Sequence, residues 1–284
     1  METLLFLLVN GLIWGFIIAL IALGLSLIFG IMRIINMAHG DLYMLGAVGA
    51  VALSDAGMSY WVALLAVPAL LAATALPFER YVLRPFEDSP LATMVGTIGL
   101  SFVLQQLALM SFGGQPRRLD EPISFTVDVL GTAFPGYRLV AAGVGLVLLV
   151  GVWLLVHRTR VGLSLRVTIE RPDIADAMGI NTSKVRAATF GLGTALAAIG
   201  GVLAAPIQNV FYLMGNEILL FAFIVVIVGG LGSLGGTLVV ALAMAAIEGG
   251  ITAGISPVNA RILILVIMAA IVVWRPQGLF GRQA

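Results

Sequence analysis

An all-α bundle of eight or nine membrane-crossing helices follows from three features of this chain. Hydrophobic residues fill 61% of the 284 positions and charged residues only 10%, against ~45–50% and ~25% in a soluble domain. Too few charges remain to cover a globule in water, and disorder demands the opposite balance. The apolar residues fall in long unbroken runs, not in the short alternating strands of an outer-membrane barrel. Glycine, at 34 positions, interrupts several of those runs, so glycine-broken or re-entrant helices are expected.

A helix rises 1.5 Å per residue, so ~20 apolar residues cross a ~30 Å hydrocarbon core. Runs bounded by charges and turn residues lie at roughly 5–30, 40–54, 60–78, 91–112, 139–156, 187–206, 218–232, 237–252 and 258–274. The second, seventh and eighth are short, which leaves eight spans with a re-entrant segment as the alternative. Met1-Glu2-Thr3 offers an acid where a cleaved signal peptide needs a basic start, so the first span is expected to stay. Lysine and arginine in short loops set the orientation. Segment 157–186 carries Arg158, Arg160, Arg166, Arg171, Lys184 and Arg186 and is assigned to the cytoplasm. Alternation then places Arg33, Arg80, Arg84, Arg275 and Arg282 inside, and Arg117, Arg118, Arg138 and Arg261 outside. Eleven of the 15 basic residues thus face the cytoplasm. Nine spans put the N-terminus out and the C-terminus in; removing one short span moves the N-terminus inside. Residues 1–284 form a single transmembrane domain on this reading.

Two loops are long. Segment 113–138, external, has the proline, glycine and alternating apolar residues of a short hairpin and serves either as a docking surface or as a connector. Within the cytoplasmic segment, Glu170–Asn181 reads ERPDIADAMGIN. Pro172 suits a first helical position, where its missing N–H has no partner to lose. Asp173 and Asp176 favour the helix start through the dipole, and Gly179 can adopt the left-handed conformation that ends it. A helix this short is marginal alone. It rests on lipid headgroups or docks in a groove of a cytosolic motor, and coupling to a motor is the preferred reading.

Two stretches break the apolar pattern. Gly30–Ala47 (GIMRIINMAHGDLYMLGA) contains Arg33, Asn36, His39 and Asp41; Val228–Thr237 (VGGLGSLGGT) holds five glycines and a serine. Backbone freed inside lipid costs several kcal/mol per group, so broken helices persist only against protein or water. Interruptions in corresponding positions of two halves mark transport pathways in repeat-built carriers. The strings around the two breaks share a rough pattern of β-branched run, glycine break and Leu-Gly-Ala-rich helix, and an internal repeat is expected. Asn36, His39, Gly229, Gly230, Gly232, Ser233, Gly235 and Gly236 are the candidates for lining the pathway.

Other chemistries are excluded. The balance of 15 basic and 14 acidic residues leaves no basic stripe for nucleic acid. With no cysteine there is no disulfide, thiolate zinc site or cysteine nucleophile, and no His/Glu cluster has metal-ligand spacing. Gly230–Gly235 matches G-x-G-x-x-G but lacks a soluble βαβ unit and an acid ~20 residues on; small residues there let helices approach. Ser233 has no G-x-S-x-G frame, and His39 and His157 are assigned to cytoplasmic ends. Lys184, the sole lysine, follows MGINTS and forms no P-loop, so any ATP is bound by another subunit and this chain carries no cofactor. Within the runs, Glu248 is the only well-embedded acid. Gln105, Gln106 and Asn10 interrupt spans, and Asn209 and Glu217 flank an external turn. A lone acid disfavours a proton relay, though a channel or ion-coupled carrier, for example for urea, is the rival reading.

The string GLSLIFGIMRIINMAHGDLYMLGAVGA resembles the signature of the shorter permease subunit of branched-chain amino acid ABC importers. ADAMGINTSKVR, GGLGSLGGT and RPQGLFG (Arg275–Gly281) follow in the family's order, with Met37 where phenylalanine is common. The resemblance implies a pore shared with a second, longer permease and two cytosolic P-loop ATPase subunits that bind ATP. A periplasmic or extracellular solute-binding protein would deliver the ligand, and lipid of a bacterial or archaeal plasma membrane would surround the spans. It places the coupling segment on Asp173, Ala175, Asp176, Ala177, Met178 and Gly179. Related families carry urea, amides and other amino acids, so it leaves the solute open.

Overall fold

The computed structural model describes residues 2–86, 89–129, 132–275 and 277–280; Pro276 and Gly281 of the C-terminal motif, and Arg282, lie outside them. In chain order the helices are α1 Glu2–Met32, α2 His39–Asp55, α3 Tyr60–Phe78, α4 Pro90–Phe112, α5 Gly136–Arg158, α6 Arg160–Glu170 and α7 Pro172–Ala177. They continue as α8 Thr182–Ala204, α9 Met214–Gly229, α10 Leu234–Ile251 and α11 Pro257–Trp274. Between α4 and α5, β1 (Thr126–Val129) and β2 (Thr132–Pro135) pair antiparallel, Thr126 opposite Pro135, giving the hairpin expected within 113–138.

Each of the nine apolar runs is a helix. Among the described residues, six helical segments are long and apolar enough to cross a membrane, α9 and α11 are shorter apolar helices, and α2 has 17 residues. The protein is a multi-pass helical membrane protein.

α1 is the hub. It packs on α10, α8, α5 and α9, and its apolar stretch is largely buried, as is that of α8. A helix apolar on all sides is one enclosed on all sides, and α1 has no polar face to turn outward. α3, α4 and α5 form the outer layer and stay mostly exposed, with Leu65, Phe102 and Val147 on the outside where lipid would meet them.

Hydrocarbon removes the hydrophobic drive between helices, so close backbone contact has to supply the attraction. At the α1–α8 crossing, a Cβ on Gly24 would stand 2.6 Å from Gly193 O, and one on Gly193 2.7 Å from Gly24 O. The α1–α10 crossing repeats the device: a Cβ on Gly11 would meet Ala245 O at 2.6 Å, and one on Gly249 would meet Leu7 O at 2.5 Å.

α3 carries Pro77 just before a π-helical turn at Glu79–Leu83. Proline cannot donate to the preceding turn, and a widened turn beside it is a common accommodation. The wide turn buries Glu79, whose carboxylate meets Arg84 Nη2 at 2.7 Å. Arg84 in turn reaches Ser183 at the start of α8, tying the end of α3 to the segment that follows α7.

Candidate translocation site and coupling surface

The first break turns the chain back into the bundle. α1 ends at Met32, and Arg33 adopts a left-handed backbone with φ of 52°. Residues 33–38 then return alongside α1, because His39 Nε2 lies 3.0 Å from Ile21 O. A carbonyl only accepts, so Nε2 donates. Ile21 stands about 16 Å before the end of α1. The freed amides find partners as a buried break requires: Met37 N–H donates to Thr97 Oγ1 of α4 at 3.1 Å, and Ala38 N–H to Asn36 Oδ1 at 3.1 Å.

A second return occurs after α8, where residues 205–213 turn back and Val210 bridges antiparallel to Arg117 of the loop after α4. The starts of α2 and α9 then meet. A Cβ on Gly215 would fall 2.5 Å from Gly40 O, and one on Gly40 would collide with Gly215 O. Gln105 of α4 closes the junction, its Nε2 standing 3.0 Å from both Asp41 Oδ1 and Asn216 Oδ1. Asp41 is buried in the first turn of α2, where the helix dipole favours negative charge.

Asn36 and His39 are therefore buried organisers of this junction. His39 lies deep against α1 and not at a helix end near water, and Asp41 joins Glu248 as an acid inside the bundle. Two junctions result: the starts of α2 and α9 meet at Gly40 and Gly215, and the breaks at Gly30–Ala47 and Val228–Thr237 meet at Gly30 and Gly232, where a Cβ on Gly30 would lie 3.5 Å from Gly232 Cα. The residue types of the first break look like those of a wetted helix end, and only the return of 33–38 distinguishes the two.

Gly229–Gly236 makes a tight turn between α9 and α10. Gly229 and Gly236 pack backbone to backbone, Gly230 and Gly232 have positive φ, and Ser233 caps α10 by accepting from Gly236 N–H at 3.2 Å. The C-terminal motif docks here: Leu279 N–H donates to Val228 O at 2.7 Å. Gly232, Ser233 and Gly235 line a cavity of about 980 Å³ with Arg33, Arg166 and Phe280. This cavity lies at the α6–α7 end of the bundle. Gly229, Gly230 and Gly236 serve the packing of the turn instead.

A separate cavity of about 260 Å³ opens at the opposite end, between α1, α9 and α10, with Arg261 of α11 at its edge. Tyr43 and Gln208, hydrogen-bonded to each other, contribute to its lining, as do Trp14, Phe221 and Glu248. Of the polar residues noted in the runs, Asn10, Glu217 and Glu248 line this cavity, while Gln105 holds the junction. A sequence offers no sign of which isolated polar residues will share a wall.

α7 is the short helix expected from Glu170–Asn181. Pro172 occupies its first turn. Ile180 N–H donates to Ala175 O at 3.0 Å and Gly179 N–H to Asp176 O at 2.9 Å, the paired bonds of a Schellman ending, with Gly179 at φ of 77°. Ala175 is fully buried by its own chain, so the outward face consists of Asp173, Asp176, Ala177 and Met178 with Ile174. Of the coupling segment, Ala175 alone faces inward, while Ala177 and Gly179 are exposed.

Among the described residues no His/Cys/Asp/Glu group can hold a metal ion. Residues 7–272 match the family model described as branched-chain amino acid transport system / permease component. The high-affinity branched-chain amino acid transport system permease protein LivH of Escherichia coli (strain K12) is 28% identical over 96% of this chain and 94% of its own. BraD of Pseudomonas aeruginosa, described in the same words, is 26% identical over 97% and 95%. The probable permease LivH of Methanocaldococcus jannaschii is 27% identical over 96% and 91%. With broken helices meeting inside an apolar bundle and a match spanning almost its whole length, the chain belongs to the branched-chain amino acid transport system permease family.

Proposed function

We propose that this chain is the shorter membrane-spanning permease subunit of an ATP-driven importer for branched-chain amino acids or closely related small solutes. As a permease it is a transport protein and not an enzyme. The observation that carries the reading is the family match over residues 7–272. The working assembly contains two cytosolic P-loop ATPases, a second and longer permease, and a periplasmic or extracellular binding protein, in the plasma membrane of a bacterium or archaeon.

Nine crossings, with the N-terminus outside and the C-terminus inside, put segment 157–186 in the cytoplasm and 113–138 outside. The distribution of arginines supports this orientation. α7 and its capping Gly179 act as the coupling helix: the outward face of Asp173, Asp176, Ala177 and Met178 sits in the ATPase, and Ala175 carries the motion inward. ATP closes the motor dimer, α7 moves with it, and the pore helices pass from outward-open to inward-open. The pathway runs between the two cavities, flanked by the Asn36–His39 and Gly229–Gly236 breaks. An internal repeat pairs α1–α2 with α9–α10 around the two glycine breaks, and the contact of Gly30 with Gly232 supports it.

Gentle affinity purification from native membranes, followed by reconstitution into liposomes, tests the reading. Recovery of a P-loop ATPase and a second polytopic subunit, with leucine uptake only when ATP and binding protein are supplied, is the expected result. A chain that purifies alone and moves solute without ATP is a channel or carrier, and the proposal fails.

A further inference from the structure

The smaller cavity combines two chemistries in one lining. Trp14 and Ile18 of α1, with Ile218 and Phe221 of α9, supply apolar surface; Glu217, Glu248 and Arg261 supply charge. Glu248 is the embedded charge, with 20% of its side chain exposed, while Arg261 and Glu217 are open to solvent at 50% and 69%; a charge embedded among apolar helices is costly and usually functional. A purely structural pair needs one acid and one base in tight contact. Here one guanidinium is shared between two carboxylates. Arg261 Nη1 stands 3.4 Å from Glu217 Oε2, and Nε 3.4 Å from Glu248 Oε1. Well-made charge-assisted bonds are ~2.7–2.9 Å, so neither contact is closed. The guanidinium also lies over the Phe221 ring, 5.1 Å from its centroid, a position that tolerates exchange of anionic partners because the ring holds the cation. Arg138, a further cation toward this end of the bundle, is occupied by the side chain of Asn10.

Such a lining offers one anion site and one cation site side by side, next to an apolar surface. Small-molecule sites are built this way, mostly apolar with a few convergent polar groups that fix orientation. We infer that this cavity binds a zwitterionic α-amino acid with an aliphatic side chain. The α-ammonium lies between Glu217 and Glu248, the α-carboxylate on Arg261, and the side chain against Trp14, Ile18 and Phe221. The inference rests on the permease reading and adds to it the residues that recognise the solute. Tyr43 and Gln208 link the cavity to the half-helix junction, since Tyr43 belongs to α2 and Gln208 to the return before α9. Occupancy is thereby sensed where the two broken helices meet.

The absence of cysteine allows a direct test. A single Ile218→Cys substitution in the full chain, assembled with its partner subunits in lipid nanodiscs, reports cavity access through its rate of modification by a water-soluble methanethiosulfonate. L-Leucine at about ten times its Kd should slow labelling roughly tenfold, in proportion to the free fraction of sites. 4-Methylpentanoate, which lacks the ammonium, and isopentylamine, which lacks the carboxylate, should protect far less at the same concentration. Glu248→Gln and Arg261→Met, introduced beside the cysteine, should each abolish protection while the assembly still elutes as one species. Absence of protection by leucine, or equal protection by the one-ended analogues, overturns the proposal in the unsubstituted cavity whatever the variants do. ATP-driven leucine uptake by the same assembly separates the two levels. Uptake without protection removes this site and leaves the permease, whereas no leucine uptake removes the reading beneath it as well.

Discussion

At Gly179 and Arg33, two residues adopt the same left-handed backbone for different reasons. Gly179 ends α7, and a Cβ there would meet nothing within 4 Å. Any penalty for substitution is therefore conformational, about 1–2 kcal/mol for an L-residue with a Cβ. Uptake by the assembled transporter should follow Gly179→Asn > Gly179→Ala > Gly179→Val at equal membrane levels, because asparagine tolerates this region best. Equal activity of the asparagine and valine variants would show that the Schellman ending plays no part in coupling. Arg33 holds its φ of 52° where glycine would be at ease, and its side chain lines the larger cavity. Pro172 and Gly179 were legible in the sequence because capping is local chemistry. Asn36 and His39 were not, since their roles depend on a carbonyl of Ile21 and a backbone reversal that no local pattern encodes.

Among the elements, α1 and α8 illustrate how glycine replaces hydrophobic drive in lipid. Gly24→Ala places a methyl against the facing carbonyl of Gly193 and should destabilise the bundle by about 1–3 kcal/mol, as overpacking does. Gly143→Ala on the exposed side of α5, where nothing lies within 4 Å, should leave the thermal midpoint unchanged. Fluorescence-detected size-exclusion after graded heating distinguishes the two, and an equal response at both positions would contradict the crossing. The positions of all nine apolar helices followed from run length and charge. What remained hidden was depth: α2 and α9 look like short crossings, yet they begin inside the bundle because the chain doubles back before each. The visible breaks at Gly30–Ala47 and Val228–Thr237 do meet, Gly30 against Gly232, whereas the contact between the starts of α2 and α9 follows no pattern in the sequence.

For the whole molecule, membrane sidedness links the fold to its partners. If the proposed sidedness holds, with 113–138 outside and 157–186 inside, a cysteine replacing the exposed Ser124 should react with a membrane-impermeant maleimide added to intact cells, whereas one replacing Asp173 should react only after permeabilisation. Labelling of both from outside, or of the Asp173 position alone, would invert the topology and detach α7 from any cytosolic motor. The family match places the chain among transport permeases, in line with the membrane-bundle reading that the composition suggested. The charged lining of the smaller cavity draws Glu217, Glu248 and Arg261 from α9, α10 and α11, and no single stretch of sequence contains it.

The central position of α1 also bears on biogenesis. Its main neighbours, α8 and α10, begin at Thr182 and Leu234, so α1 leaves the ribosome well before the helices that enclose it. At ~5–20 residues per second the wait is about 10–40 s. A helix with a polar stripe would need a chaperoning partner through that interval. α1 has none to hide, so the bilayer itself serves as its holding solvent until the glycine faces of α8 and α10 arrive to displace lipid.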